Sequence, residues 1–211
     1  MNRGLFIVLE GIEGAGKSTQ IRLLAEWMEE KGRPPLTTRE PGGTDVGEEI
    51  REILLSWTHV SIPSATELFL ILAARAAFVR DVVEPALERG DVVLADRYDL
   101  STLAYQGYGR ELDLELVGRA NDLATGGCRP DLYLLLDIEV EAGLARQRRG
   151  GKEEDRIEGA GIDFLRRVRE GYRSLAGSDD GVEVIDARGE AGAVQERIRR
   201  VLSSRFPETF G

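Results

Sequence analysis

Short apolar runs recur along the chain, and longer segments with helical periodicity or turn residues separate them. These runs do not alternate apolar with polar residues, which is typical of strands covered on both faces of a parallel sheet. The predicted strands are residues 5–10, 36–38, 92–95, 132–136 and 182–185. The succession of elements predicts repeated βα units, and therefore an α/β fold with a five-stranded parallel sheet and helices on both faces.

Helices are predicted where apolar residues recur every three or four positions. The predicted helices are residues 19–31, 48–55, 65–89, 115–124, 140–149, 162–175 and 191–206. The stretch 146–158 is rich in glycine and charge, which is typical of a mobile loop. In a compact domain such a loop is a candidate functional lid, and an ordinary solvated loop is the alternative.

Length and composition favour a single domain, because 211 residues with 42% hydrophobic content are enough for one well-buried core. No apolar run approaches the ~20 residues that cross a bilayer, and no cleavable apolar leader is evident. We therefore expect a cytoplasmic protein without a membrane partner. The single cysteine, Cys128, excludes an intrachain disulfide.

The net charge of −10 argues against a nucleic-acid-binding protein, whose footprint is usually basic. Yet 25 of the 28 basic residues are arginine. The guanidinium group matches phosphate oxygens bidentately, so this choice suits a phosphate-binding protein. A general compositional bias is the alternative.

The first predicted strand is followed directly by G-I-E-G-A-G-K-S-T, which fits the phosphate-binding P-loop pattern G-x-x-x-x-G-K-[ST]. Glycines let successive backbone N–H groups face a phosphate at the start of the next helix. Lys17 is expected to neutralise β/γ-phosphate oxygens, and the Ser18 hydroxyl to ligate Mg²⁺. The residues predicted to bind ATP here are Gly11, Glu13, Gly14, Ala15, Gly16, Lys17, Ser18 and Thr19.

A second cluster, V-V-L-A-D-R-Y, ends another buried strand, and parallel strands end at the same edge of a sheet. Asp96 can hold the Mg²⁺ shell there, and capping of a neighbouring helix is its alternative role. Arg97 is harder to explain as structure, because a buried arginine needs a partner. An arginine beside a metal-binding acid suggests a phosphate.

The chain resembles thymidylate kinase over almost its entire length. Besides the P-loop, the matching blocks are T-R-E-P-G-G-T at 38–44, A-A-R at 73–75, D-R-Y-D-L-S-T-L-A-Y-Q-G at 96–107 and D-R-I-E at 155–158. The resemblance implies a P-loop kinase fold that transfers the γ-phosphoryl group of ATP to dTMP in dTTP synthesis. It further implies Mg²⁺ as cofactor and a homodimer, for which the apolar helix at 65–89 is a candidate face.

By this resemblance, Arg51 and Arg97 hold the phosphate of dTMP, and Arg75 reaches the thymine carbonyl. Single arginines on predicted helices are by default halves of exposed salt bridges, which is the alternative for Arg51 and Arg75. Arg39 either contacts the substrate or pairs with Glu40 around the next turn.

The resemblance also places Tyr105 against the 2′ position of the sugar and Glu13 near its 3′-hydroxyl. As an alternative, Tyr98 and Tyr105 are ordinary half-buried aromatic residues. The other positions expected around dTMP are Pro41, Tyr98, Ser101 and Gln106.

One position departs from the family pattern. The family has a phenylalanine four residues before the A-A-R arginine, where it stacks on thymine, whereas this chain has Ile71 there and Phe69 two residues earlier. Either Ile71 packs on the base or Phe69 supplies the missing ring.

The transferring phosphoryl group needs a cation that stabilises its equatorial oxygens. One group within the family carries this arginine in the P-loop, where this chain has Gly14, and the other carries it in the lid. The chain resembles the lid-arginine group. Its candidates are Arg148 or Arg149 near the γ-phosphate and Arg146 against adenine, with Lys152 as a further lid cation.

The acceptor phosphate is largely ionised at neutral pH, since its second pKa lies near ~6, so no general base is needed. His59 is accordingly read as a surface residue.

Two alternatives to this function remain. One is a small P-loop kinase for a deoxynucleoside or another monophosphate. The other is a nucleotide-dependent switch, against which the absence of a guanine-binding N-K-x-D element argues.

Overall fold

The apolar runs form a parallel sheet in the computed structural model, which describes residues 3–57, 60–149, 156 and 160–211. The strands are β1 (Leu5–Glu10), β2 (Pro35–Arg39), β3 (Val92–Asp96), β4 (Leu132–Asp137) and β5 (Val182–Asp186). Their order is β2-β3-β1-β4-β5, and every pairing is parallel. The predicted five-stranded parallel sheet is confirmed, with strand ends that differ by at most one residue.

Helices connect the strands and cover the sheet. They are α1 (Lys17–Glu30), α2 (Asp45–Ser56), α3 (Ser64–Phe78), α4 (Glu84–Arg89), α5 (Asp99–Thr102), α6 (Leu114–Thr125), α7 (Val140–Arg149), α8 (Ile162–Ala176), α9 (Ala191–Arg205) and α10 (Pro207–Phe210). Within the described part of the chain, every helix is too short or too polar to traverse a lipid bilayer.

The prediction of one helix over residues 65–89 was wrong in detail. A π-helical segment, Val79–Val83, separates α3 from α4. Pro85 explains the interruption, because proline has no N–H and its ring crowds the carbonyl four residues earlier, so the α-helical bonding pattern cannot continue through it.

A second helical region, α5 followed by the π-helical segment Leu103–Gly109, was not predicted. It has no marked apolar periodicity, because its polar residues face a cavity. The predicted lid also needs correction at its start, since 146–149 form the last turn of α7. Lys152, Asp155 and Glu158 of that stretch lie outside the described residues, as does His59.

The core is centred on β1, whose residues Phe6, Ile7, Val8 and Leu9 have no exposed surface. Neighbouring side chains of a strand point to opposite faces, so both faces of the sheet are covered. Leu9 pairs in register with Asp96, and Glu10 with Leu135. The polar strand ends therefore lie together at one edge.

Candidate active site

A cavity of about 630 Å³ opens at the carboxyl ends of β1, β2 and β3. This volume lies within the usual range for small-molecule sites, ~300–1,000 Å³. The predicted site residues that line it are Glu13, Gly14, Gly16, Lys17, Ser18, Thr19, Arg39, Pro41, Arg51, Ile71, Arg75, Asp96, Arg97, Tyr98, Ser101, Tyr105, Gln106 and Arg146. The predicted residues outside its wall are Gly11, Ala15, Phe69, Arg148 and Arg149.

The P-loop forms one end of the cavity. Gly14 and Gly16 have φ values of 73° and 99°, a region that favours glycine, and α1 begins immediately afterwards at Lys17. The Lys17 ammonium group donates to the carbonyls of Gly11 at 2.9 Å and Ile12 at 3.2 Å. Burial and the nearby charge of Arg97 lower the pKa of Lys17 to about 8. An anion bound beside Lys17 would therefore stabilise the charged form of its side chain.

Helix α7 approaches the P-loop through two glycines. A Cβ on Gly14 would collide with the backbone of Gly143, and a Cβ on Gly143 would lie 2.6 Å from the Glu13 carbonyl oxygen. An arginine at position 14 does not fit this packing. The P-loop position where one group of the family carries an arginine is therefore closed to a side chain in this chain.

Two oxygen ligands suited to Mg²⁺ lie beside the P-loop. Asp96 Oδ1 is buried and has no hydrogen-bond partner among the described residues, while Ser18 is exposed at the cavity wall. The described residues contain no cluster of three or more His, Cys, Asp or Glu side chains that could hold a metal. This donor set fits Mg²⁺, which keeps several waters and takes one or two protein ligands together with substrate phosphates.

Arg97 lines the same cavity as Lys17. Its Nη2 donates to Glu13 Oε1 at 2.5 Å and to the Tyr105 hydroxyl at 3.0 Å, and its Nη1 donates to Ser101 and Tyr172. The backbone of Arg97 has a φ of 73°, which is uncommon for a residue with a side chain. Burial alone raises the pKa of Glu13, but Arg97 and Lys17 outweigh it and hold the pKa below its usual value.

Glu10 lies behind the cavity wall and bonds Ser101 and Tyr172, two residues that accept hydrogen bonds from Arg97. Its carboxylate accepts hydrogen bonds from the backbone N–H groups of Tyr98 and Ser101 and from the hydroxyls of Ser101 and Tyr172. Burial raises the pKa of Glu10 despite the charge of Arg97. Glu10 ends the first predicted strand and was not predicted as a site residue. The sequence carried no signal for Tyr172, which lies on α8.

The predicted Arg39–Glu40 alternative was wrong, because each residue has a different partner. Arg39 donates to Glu48 at 2.9 Å, whereas Glu40 pairs with Arg75 at 2.7 Å. Arg51 Nη1 donates to the Pro41 carbonyl at 2.9 Å and contributes to the cavity wall. The turn after β2 is therefore anchored from two helices.

Arg75 was weighed as half of an exposed salt bridge, but its side chain is only 2% exposed. A guanidinium group has five N–H donors. Those of Arg75 are all used: two on Glu40, one each on Thr102 and Asn121, and one on the Tyr98 carbonyl. The predicted bond to a thymine carbonyl therefore requires that one of these donors be shared.

The two predicted tyrosines differ in their surroundings. Tyr105 lies at the cavity wall, and its hydroxyl is within hydrogen-bond distance of both carboxylate oxygens of Glu13. Its ring centre is 4.9 Å from the guanidinium of Arg97. Tyr98 borders the cavity but has no exposed surface, and its hydroxyl donates to the Cys128 carbonyl. The Tyr98 side chain is therefore a core residue.

The structure separates the two candidates for packing against a base. Ile71 lines the cavity, whereas Phe69 is 68% exposed and lies outside its wall. Residues two positions apart on a helix point about 200° apart, so both cannot face the same side. The alternative in which Phe69 supplies the missing ring is therefore not supported.

At the end of α7, Arg146 borders the cavity and donates to the carbonyls of Ala187 at 2.9 Å and Gly189 at 3.2 Å. Arg148 and Arg149 are exposed one turn further on. Further lining residues that were not predicted as site residues are Glu40, Leu55, Thr102 and Gln147.

The chain is similar in sequence and in fold to known proteins of one family. Residues 9–198 match the sequence profile of a family described as thymidylate kinase. The chain is 47% identical to the thymidylate kinase of Desulforudis audaxviator, over 99% of this chain and 95% of the relative. It is 49% identical to that of Synechococcus sp. strain CC9902, over 94% and 97%. A crystal structure of thymidylate kinase from Ehrlichia chaffeensis matches with a TM-score of 0.78 at 30% identity, over 95% of this chain and 99% of that one.

Proposed function

This chain belongs to the thymidylate kinase family, and we propose that the cavity described above carries out transfer of the γ-phosphoryl group of ATP to dTMP, giving dTDP and ADP. One observation carries the proposal. A single cavity joins the P-loop to Arg97 and Gln106, so that two nucleotides can meet with their phosphates between Lys17 and Arg97.

At the donor end, the P-loop N–H groups and the Lys17 ammonium bind the β- and γ-phosphates of ATP. Ser18 and Asp96 would hold Mg²⁺, and the Asp96 Oδ1, which has no hydrogen-bond partner among the described residues, supports this assignment. When bound, Mg²⁺ supplies positive charge that offsets repulsion between the two nucleotides.

At the acceptor end, Arg97 and Arg51 bind the phosphate of dTMP, and Arg39 adds positive charge at the same wall. The attacking oxygen is already ionised near neutral pH, so the chain needs to align two anions and does not need to remove a proton. The sugar then lies against Glu13 and Tyr105.

The base end is formed by Ile71, Ser101, Arg75 and Gln106. Ile71 offers an apolar surface to one face of the ring, and Gln106 offers hydrogen bonds to its edge. Arg75 contributes to this wall while it holds Glu40, Thr102 and Asn121 in place.

The cation for the transferring phosphoryl group is Arg148 or Arg149, and Arg146 packs against adenine. Gly14 supports this assignment, because the space beside it is filled by α7 and cannot hold an arginine. Arg146 already borders the ATP end of the cavity, whereas Arg148 and Arg149 project from the end of α7.

The chain forms a homodimer through α3 and α6, which pack against each other. Both helices carry exposed apolar side chains: Phe69 is 68%, Leu116 60% and Leu123 86% exposed. Apolar patches of this kind usually mark interaction surfaces. Light scattering on Leu123→Glu should give half the mass of the wild type, and Val46→Glu on α2 serves as the control because Val46 is also exposed.

The assay that tests the reaction is ADP release with ATP, Mg²⁺ and a panel of nucleoside monophosphates. We expect release to depend on dTMP, to fail with thymidine, and to lose its dTMP dependence in Arg97→Ala. Arg80→Ala, at an exposed position outside the cavity, should behave as wild type. ATP consumption at the same rate with and without dTMP would rule out the proposal and favour a nucleotide switch.

A further inference from the structure

Glu67 is a completely buried carboxylate behind the base end of the cavity, and it does not line the cavity. Its Oε1 accepts hydrogen bonds from Gln106 Nε2 at 3.0 Å and from Arg110 Nε at 3.1 Å. Its Oε2 accepts from Arg110 Nη2 at 3.2 Å and from Arg156 Nη2 at 2.6 Å. Three side chains distant in sequence therefore converge on one acid.

The protonation state of Glu67 decides which end of Gln106 can face it. Burial raises the pKa of Glu67, but hydrogen bonds from Arg110 and Gln106 outweigh burial and leave the pKa below its usual value. An ionised carboxylate can only accept hydrogen bonds. The Gln106 side chain must therefore turn its NH₂ group, and not its carbonyl oxygen, towards Glu67.

With its nitrogen held in this way, Gln106 directs its carbonyl oxygen away from Glu67. Gln106 lines the cavity, and no described residue donates a hydrogen bond to its Oε1. We propose that Glu67 is a positioning residue that fixes the Gln106 amide so that the cavity presents a hydrogen-bond acceptor to the nucleobase. This proposal rests on the proposed function, which puts the base at Gln106.

An acceptor at this position selects the class of base. The ring N3 of thymine and of uracil carries a hydrogen and can donate to the Gln106 oxygen. The N3 of cytosine is itself an acceptor, so in the same ring orientation, with N3 facing the Gln106 oxygen, cytosine would place two lone pairs against each other and leave a buried acceptor unpaired. Glu67 thus favours pyrimidines with an N3–H without touching them.

A purely structural role for Glu67 is the competing explanation. Arg156 also donates to the Leu54 carbonyl at 2.8 Å, and Arg110 lies over the Phe164 ring at 4.5 Å, so Glu67 ties several elements together. If Glu67 only held these elements together, its loss would weaken catalysis equally with every nucleotide substrate. Base preference therefore separates the two roles.

The test compares kcat/KM for dTMP, dUMP and dCMP in the full-length wild type and in Glu67→Gln. The new amide can donate to Gln106, which frees Gln106 to turn its NH₂ group to the cavity. We expect the dTMP-to-dCMP ratio to fall at least tenfold, mainly through KM, with dUMP following dTMP. Arg167→Met removes two hydrogen bonds to the Gly109 carbonyl and leaves every bond to Glu67 in place, so its ratio should match wild type.

The double variant Glu67→Gln/Gln106→Glu exchanges the two groups and again presents an acceptor oxygen to the cavity. We expect it to regain the preference for dTMP, and it tests the proposal even if Glu67→Gln alone does not fold. An equal loss for all three acceptors in Glu67→Gln, or a double variant that does not prefer dTMP, overturns the role of Glu67. Wild-type protein without dTMP-dependent ADP release overturns the proposed function itself, and this proposal with it.

Discussion

Arg97 and Glu13 form an ion pair at 2.5 Å that joins the end of β3 to the P-loop, across 84 positions of sequence. Their side chains are 16% and 12% exposed, so water screens the pair only weakly. Both residues line the cavity. The pair therefore couples the position of Arg97 to the conformation of the P-loop.

This pair predicts a strong energetic coupling between the two residues. We expect Glu13→Gln and Arg97→Gln each to lower the free energy of unfolding by about 2 kcal/mol, because each leaves a largely buried charge unpaired. The double variant should lose about the same amount and not the sum. Urea denaturation of the four proteins measures the coupling, and additive losses would show that the pair contributes little.

Arg75 predicts a difference between two chemically similar substitutions. Arg75→Lys should lower the free energy of unfolding by about 3 kcal/mol or more, because one ammonium group cannot replace five directed donors and leaves Glu40 poorly paired. Arg80→Lys is the matched control, since Arg80 is exposed and forms hydrogen bonds only with the adjacent Asp81 among the described residues. Equal urea midpoints for the two variants would contradict this prediction.

The sheet and the P-loop could be predicted from the sequence because both depend on neighbouring residues. The apolar runs, the glycine spacing and the residues at the ends of strands are local signals. The ion-pair partners of Arg39, Glu40 and Arg75 could not be predicted from neighbouring residues. Which residues pair depends on how α2 and α3 pack. Adjacent residues suggested an Arg39–Glu40 pair, but the buried Arg75 takes Glu40.

The same limit applies to the support behind the site. Tyr172 and Glu67 lie outside the motifs, and each acts through a residue that a motif did contain, Arg97 or Gln106. The choice between Ile71 and Phe69 required the rotation of α3 about its axis, which depends on packing. Sequence patterns therefore predicted the residues that line the cavity better than the residues that orient them.

The close approach of α7 to the P-loop predicts an effect on ATP binding. Gly143→Ala places a methyl group 2.6 Å from the Glu13 carbonyl oxygen, so α7 or the P-loop must shift. We expect the KM for ATP to rise at least tenfold while the KM for dTMP changes less. Gly118→Ala on α6 is the control, because its Cβ meets nothing within 4 Å and alanine favours a helix. An ATP KM in Gly143→Ala equal to that of Gly118→Ala would contradict tight packing here.

The lowered pKa of Lys17, about 8, predicts that ATP binding depends on pH. Below pH 8 the free protein already carries the charged ammonium, so the phosphates bind it directly. Above pH 8 the free side chain loses its proton, and binding must take one up, so affinity falls by up to tenfold per pH unit. A terminal phosphate has its last ionisation near pH ~6, so the nucleotide contributes little to this change.

Calorimetry with a non-hydrolysable ATP analogue between pH 7.5 and 9.5 measures this effect. Proton uptake should appear as a binding heat that differs between buffers of different ionisation enthalpy, and it should increase as the pH passes 8. Lys17→Met lacks the titrating group, so its affinity should be weaker at pH 7.5 but constant over the same range. Equal affinities of the wild type at pH 7.5 and 9.5, without proton uptake, would mean that Lys17 keeps its proton in the free protein and that its burial costs far less than the geometry indicates.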